Sequence, residues 1–292
     1  MTDITAPNSA TDTCFFGHPK GLFVCFSTEL WERFSFYGMK YLLLLYLTKY
    51  HLFSDAGGLD VLGSYAALVY ASPVIGGLLA DRYLGMRKAV IFGGVLLVLG
   101  HLGMAMEGEQ AHRVGDDIVR DEGALQVFYF SLALIVVGVG FLKPNISTIV
   151  GRLYSADDPR RDSGFTIFYM GINIGAFAAA LLCGYLGETL GWAYGFGAAG
   201  IGMIVGLATF IGGQKHLHGL AEPRDPKILQ ASSPLGLNRE LTIYLCAILG
   251  VAVIWKMLQF HAVVGLTLNL MSLAVLCGLA WFIITRCDSI ER

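Results

Sequence analysis

Six charged side chains lie inside long apolar stretches of the chain, where charge is unusual. They are Glu29, Glu32, Arg33, Lys40, Lys143 and Lys256. A charge at bilayer depth is costly unless it is paired or hydrated, so such residues generally serve a function. Carboxylates in this setting can exchange protons, and cations can hold an anionic group. The pattern therefore predicts a polar site inside an apolar protein.

The first of these stretches places its charges on one face of a helix. At about 100° per residue, Glu29, Arg33 and Lys40 fall within about 40° of one another, with Tyr37 beside them. A charged stripe of this kind must face a bundle interior or a water-filled cavity. The alternative is structural, because Glu29 and Arg33 are four residues apart and could simply neutralise each other. Lys256 stands alone near a helix end, where snorkelling to the interface is the expected behaviour.

A second segment, FLKPNIS at 141–147, combines a proline with a charge. Pro144 is expected to kink its helix, with Asn145 and Ser147 bonding to the carbonyls that it frees. Lys143 adds a cation at the kink, and broken helices with a charge at mid-membrane depth build the substrate sites of transporters. The alternative is a kink that serves packing, with a lysine that reaches the interface.

Two further segments carry weaker signals. In FYMGINIGAF at 168–177, the spacing of Gly171 and Gly175 predicts a close helix contact. Asn173 between them could form a hydrogen bond to another helix or contact a ligand. GGLLADRYLGMRKA at 76–89 predicts a tight basic turn between two apolar stretches.

Composition indicates what kind of protein positions these residues. The chain has 292 residues, a formal charge of −2, 55% hydrophobic and 14% charged residues, and a mean hydropathy of +0.62. A soluble domain carries about 25% charged residues. The composition therefore excludes a disordered chain, a nucleic-acid binder driven by basic charge and most soluble enzymes. It favours an all-α polytopic membrane protein.

The six cysteines are scattered, and we expect neither a metal site nor a disulfide.

Eight apolar stretches are long enough to span a bilayer. They lie at 21–47, 60–80, 88–107, 124–150, 164–186, 192–213, 241–261 and 264–285. With the N-terminus inside, thirteen basic residues fall on the inner side and three (Lys49, Arg113 and Arg120) on the outer side. The positive-inside rule then predicts that both termini are cytoplasmic.

Four segments together resemble the signatures of a known family. ADRYLGMRK at 80–88 is similar to the signature loop of the major facilitator superfamily. ELWERFSFYG at 29–38 resembles the ExxERFxYY motif of the proton-dependent oligopeptide transporters, with Phe36 where tyrosine is common. FLKPN at 141–145 and FYMGINIG at 168–175 resemble two further signatures of that family.

The resemblance implies a six-helix N-terminal bundle of the superfamily plus a two-helix hairpin. The corresponding division is a cytoplasmic tail (1–20), the bundle (21–213), a cytoplasmic linker (214–240) and an extra hairpin (241–292), without the second six-helix bundle. The implied activity is proton-coupled symport of di- and tripeptides across the inner membrane, with no enzymatic reaction. The proton is the coupling ion and no other cofactor is implied. The implied partners are small peptides, the bilayer and a second six-helix half, and not nucleic acid.

The resemblance also implies residue roles. Proton coupling is implied for Glu29, Glu32, Arg33 and Lys143. Peptide binding is implied for Arg33, Tyr37, Lys40, Tyr70, Lys143 and Asn173, the cations for the carboxylate and the others for the backbone. A cytoplasmic gate is implied for Asp81, Arg82, Gly85 and Arg87, which close against the second half.

Because the second half is not in this sequence, we expect Asp81 and Arg87 to lose their partners in that half and to face water or lipid headgroups. We also expect Arg33 and Lys143 to be exposed on an open cavity face, so that the isolated chain is unstable, oligomerises or covers that face with another protein. Two alternatives remain open. One is a non-transporting membrane protein that acts only through a partner, and the other is a proton channel or sensor.

Overall fold

A computed structural model describes residues 15–223, 225–231 and 236–286, and this part of the chain is mainly helical. The helices are α1 (Lys20–Leu45), α2 (Asp55–Leu79), α3 (Met86–Met104), α4 (Glu122–Arg152), α5 (Arg161–Thr189), α6 (Trp192–Gly213), α7 (Pro226–Gln230), α8 (Arg239–Gln259) and α9 (His261–Arg286). Five-residue π turns extend α1 to Tyr50 and α2 to Leu84. Most of the predicted tail (1–14), parts of the predicted linker (Arg224 and 232–235) and the end of the hairpin (287–292) lie outside the described residues.

Long helices stand at all eight positions predicted as spans. Among the described residues, six of them (α2 to α6 and α8) are long and apolar enough to cross a bilayer. The chain is therefore a multi-pass membrane protein. Polar and charged side chains lower the hydropathy of α1, and the apolar stretch in the described part of α9 is confined to Ser272–Thr285. For these two helices the span stays a prediction.

The first six long helices pack as two interlocked groups. Helix α1 lies against α5 and α6, whereas α4 lies against α2 and α3, and a contact between α3 and α6 joins the groups. The hairpin is added at one side, where α8 packs on α4 and α2. Helix α4 is the most enclosed of the spans, and α2 and α5 leave most of their surface uncovered. The fold thus encloses the two helices, α1 and α4, that carry most of the intramembrane charge.

The loop between α3 and α4 contains structure that the sequence did not predict. Strands β1 (His112–Val114) and β2 (Asp117–Val119) pair antiparallel, and Gly115 takes the positive φ of 65° in the turn between them. Strands of three residues, with five of the six exposed, leave no hydrophobic pattern that would predict them.

Pro144 does not break α4, which runs without interruption from Glu122 to Arg152. Asn145 donates to the carbonyl of Phe141 at 2.6 Å, and Ser147 donates to that of Pro144 at 3.2 Å. The carbonyl that loses its helical donor to the proline is that of Gly140. It lies against Gly76 of α2, where an added Cβ would overlap it. The predicted role of Asn145 and Ser147 is therefore wrong, since both bond to other carbonyls of α4 and the freed carbonyl lies against a neighbouring helix.

Gly76→Ala should destabilise the chain by about 2–3 kcal/mol, because the new methyl group would force two backbones apart. Gly63→Ala is the matched control, because Gly63 is on the same helix and an added Cβ there would meet open space beyond its own helical turn, as far as the described residues show. It should be neutral or stabilise by about 0.5–1 kcal/mol, since alanine is the better helix former. Unfolding of both variants in detergent measures the difference. Equal stabilities would show that this crossing is not tight.

His51, just beyond α1, is fully buried in an aromatic setting. Its ring contacts those of Tyr46 and Phe128 at centroid distances of 4.8 and 6.1 Å. Neither ring nitrogen has a hydrogen-bond partner among the described residues. Its carbonyl accepts a bond from Arg120 Nε at 2.7 Å. Burial, with a smaller contribution from Arg120, lowers the pKa of His51 to about 4.

This low pKa makes the stability of the chain depend on pH. The unfolded chain, in which histidine has a pKa of about 6.5, binds this proton more readily than the folded chain does. Stability should therefore be full above about pH 6.5 and decrease as the pH falls towards 4, by about 3 kcal/mol from this residue. His51→Phe keeps the aromatic packing and should remove that part of the pH dependence in unfolding measurements between pH 7 and 4.5. An unchanged pH profile would refute the assignment.

Candidate functional site

Glu29, Glu32 and Arg33 form one buried ion group on α1. Their exposed fractions are 3%, 1% and 3%. Arg33 Nε lies 3.1 Å from Glu29 Oε1, and the same nitrogen donates to Glu32 Oε2. The Arg33 guanidinium also lies over the ring of Phe36, 5.1 Å from its centroid. One cation is thus shared between two carboxylates, and this arrangement can hold a proton with a small change of geometry.

The ion group is not fully satisfied within the described part of the chain. Glu29 Oε2, Glu32 Oε1 and Arg33 Nη2 are buried without a hydrogen-bond partner there. Buried polar atoms normally have one. The group therefore has unused capacity for a ligand, a water or a proton.

Lys143 of α4 provides the nearby cation from a second helix. It is half-buried and interacts electrostatically with Glu29. Its ammonium lies 5.1 Å from the ring centroid of Tyr70 on α2, whose side chain is 58% exposed. The fold thus joins α1, α2 and α4 around one charged locus.

Lys40 and Tyr37 continue the α1 face away from the ion group. Both are half-buried, and Tyr37 stacks on Tyr41 with ring centroids 6.0 Å apart. The predicted stripe is therefore graded, with buried charges at one end and accessible ones at the other. The expectation that Arg33 is exposed is wrong. Its two carboxylate partners and Phe36 cover it inside this chain, whereas Lys143 remains partly accessible.

Asn173 of α5 is exposed and donates to the carbonyl of Tyr169 on its own helix, at 3.1 Å. It makes no bond to another helix in the described structure, so the interhelical alternative is not supported. Gly171 and Gly175 do lie against α1, where an added Cβ would meet the backbone of Phe26 and Leu30. The spacing of these glycines therefore correctly predicted a close helix contact.

The turn at 80–88 is held by the segment that follows α6. Gly85 has φ of 75°, and the backbone of Glu222 and Pro223 leaves no room for a side chain there. Arg87 forms a two-pronged bond to Glu222, with Nε–Oε1 at 2.5 Å and Nη2–Oε2 at 3.2 Å. Arg87 is therefore half-buried and paired within this chain, so the expectation that it faces only water or lipid headgroups is wrong, whereas the loss of a partner in the second half stays a prediction.

Asp81 and Arg82 are exposed at the same turn. Beyond it, Lys88 pairs with Glu240 of α8 at 2.6 Å. Sequence reasoning did not identify Glu222 or Glu240. In the sequence, both are acidic residues of the predicted linker (214–240), whose basic residues alone were used to predict the topology. A negative charge in a linker does not show which cation it pairs with.

The sequence is similar to that of known transporters. A sequence profile of the POT family matches residues 87–233. The uncharacterized transporter YclF of Bacillus subtilis (strain 168) is 40% identical over 262 residues, which cover 86% of this chain and 50% of that protein. The di-/tripeptide transporter of Lactococcus lactis subsp. lactis (strain IL1403) is 38% identical over 261 residues, covering 86% and 48%.

Solved structures of peptide transporters share the fold of this chain. A mutant of the peptide transporter POT in complex with alafosfalin superposes with a TM-score of 0.71 at 38% identity, over 96% of this chain and 54% of that one. The chain spans about half the length of the curated relatives it matches. With the family profile, the shared fold and the signature segments in agreement, this chain belongs to the POT family.

Proposed function

We propose that this chain forms the N-terminal half of a proton-coupled symporter of di- and tripeptides. The observation that carries the proposal is the buried Glu29–Arg33–Glu32 group, with Lys143 of a second helix within electrostatic range. The substrate class is supported by the similarity to the di-/tripeptide transporter of Lactococcus lactis. The partner needed for transport is a second six-helix half.

Proton coupling follows from the sharing of Arg33. While Glu29 and Glu32 are both ionised, they occupy the Nε side of its guanidinium. Protonation of one carboxylate removes a competing negative charge and makes Arg33 and Lys143 more attractive to an anion. The carboxylate of a peptide is that anion. Proton binding and peptide binding then favour each other.

The peptide site extends from this locus along accessible side chains. Lys143 and Lys40 hold the carboxylate together with Arg33. The side chains that bond to the peptide backbone are Tyr37, Tyr70 and Asn173. Tyr70 and Asn173 are exposed and Tyr37 is half-buried, so a ligand can reach them.

The membrane arrangement completes the proposal. The chain lies in the inner membrane with both termini in the cytoplasm, because thirteen basic residues flank the spans on that side and three on the other. The tail (1–20), bundle (21–213), linker (214–240) and hairpin (241–292) are its segments. At the cytoplasmic turn, Gly85 and Arg87 fix the backbone, which leaves Asp81 and Arg82 to contact the second half.

The test is peptide uptake by the chain joined to the second half of a POT family relative. In proteoliposomes with a proton gradient, a labelled dipeptide should accumulate, and a protonophore should abolish the accumulation. Unlabelled di- and tripeptides should compete, and single amino acids should not. A proton current without peptide movement would favour a channel and contradict symport.

A further inference from the structure

Tyr65 of α2 lies beside the ion group although no signature segment contains it. Its side chain is fully buried, and its ring stacks on that of Phe36, with centroids 6.4 Å apart and planes at 29°. Phe36 carries the Arg33 guanidinium near its ring. The tyrosine therefore approaches the ion group from a different helix.

The hydroxyl of Tyr65 is buried and has no hydrogen-bond partner among the residues that the structure describes. It interacts electrostatically with Glu32 and Arg33. An unsatisfied buried polar group shifts the folding equilibrium unfavourably by about five- to a hundredfold. Such groups are normally bonded to protein or to ordered water, so an isolated hydroxyl at this place needs an explanation.

The unpaired atoms at this locus complement one another. Glu29 Oε2 and Glu32 Oε1 can only accept while ionised, Arg33 Nη2 can only donate, and the Tyr65 hydroxyl can do both. A buried water typically makes about three hydrogen bonds to otherwise unsatisfied polar groups. These four atoms belong to buried side chains that contact or interact electrostatically with one another, and together they supply the donors and acceptors that a buried water needs.

We propose that Tyr65, Glu32, Arg33 and Glu29 enclose an internal water, with Tyr65 as the residue that positions it. Arg33 Nη2 donates to the water oxygen, and the water donates to the carboxylates. If the proposed function is correct, this water carries the coupling proton. Protonated Glu32 gives its proton to the water as the water gives another to ionised Glu29, and the tyrosine keeps its own.

A double-mutant cycle on the purified chain in detergent tests the site without any transport measurement. Tyr65→Phe keeps the ring and removes the hydroxyl, and Glu32→Gln removes the negative charge. If a water joins the two residues, their effects on the unfolding equilibrium should be coupled by about fivefold or more. Tyr46→Phe is the control, because Tyr46 is equally buried and its hydroxyl bonds to the carbonyl of Glu107 instead. It should show no coupling to Glu32→Gln beyond about twofold.

An infrared titration of the buried carboxyl groups gives a readout that packing alone does not move. Tyr65→Phe should shift the pH midpoint of the carboxyl band by about one unit, whereas Tyr46→Phe should leave it in place. The proposal would be overturned if Tyr65→Phe and Glu32→Gln had independent effects on unfolding, or if Tyr65→Phe stabilised the chain. It would also be overturned if Tyr65→Phe left the pH midpoint of the carboxyl band unchanged. Failure of peptide uptake with the coupling intact would contradict the symport proposal and leave the water site standing.

Discussion

Arg33→Leu is expected to destabilise the chain by about 3–5 kcal/mol, because it leaves two buried carboxylates without their shared cation. Glu29 and Glu32 are 3% and 1% exposed, so solvent cannot replace the guanidinium. Equilibrium unfolding in detergent measures the loss. Arg33→Lys should retain part of the stability, since it keeps the charge, but an ammonium on a differently shaped side chain cannot reproduce the position of the guanidinium Nε between both acids.

Two further variants show whether the loss in Arg33→Leu comes from the buried carboxylates. Lys49→Leu also removes an ion pair, at 2.7 Å to Glu188, but those side chains are 53% and 39% exposed. That loss should be about 0–1 kcal/mol. Adding Glu29→Gln and Glu32→Gln to Arg33→Leu should restore much of the stability, because no unpaired charge then remains buried. Arg33→Leu as mild as Lys49→Leu would show that the buried acids are already protonated or hydrated.

Lys143→Ala should reduce gradient-driven peptide uptake by about 100-fold in the chain joined to a second half. The lysine is an accessible cation of the proposed site and interacts with Glu29, so its loss weakens both carboxylate binding and the balance of charge around the acids. Initial rates of labelled dipeptide uptake, at equal amounts of folded protein, give the measurement.

Lys256→Ala is the matched control for this substitution. Lys256 is also a lysine of an apolar helix that lies over an aromatic ring, 4.3 Å from the centroid of Trp255, but it is on α8 and no acid pairs with it among the described residues. Its replacement should change uptake less than about twofold. Undiminished uptake by Lys143→Ala, or an equal loss in both variants, would refute the role of Lys143.

Much of the site could be predicted from the pattern of residues. The spacing of Glu29, Arg33 and Lys40 put them on one helix face, and the cost of charge in lipid required that face to meet a bundle interior or a water-filled cavity. Glycines four residues apart predicted that α5 makes a close helix contact, since only small side chains let helices approach so closely. The structure shows that α1 is the partner. These inferences succeeded because they depend on helix periodicity and on the energy of burial, which act along the chain.

Other features depend on which helices meet and could not be predicted. The expectation of an exposed Arg33 was wrong although its carboxylate partners lie on its own helix, because the sequence does not show which other helices cover that face. The partner of Arg87 is Glu222, 135 residues away. The freed carbonyl of Gly140 faces Gly76 of another helix, and no pattern within α4 reveals that neighbour.

The sequence by itself determined that this is a multi-pass helical membrane protein with charged residues kept inside it, because hydropathy and helical periodicity are properties of single segments. It also determined the family, through four segments of fixed residue type. Only the tertiary structure decided how the charges are shared, that Tyr65 joins the ion group and that the linker holds the turn at 80–88. These features depend on the packing of α1, α2 and α4 and on contacts between residues far apart in the sequence. They could not be predicted because the whole fold sets which side chains of different helices meet.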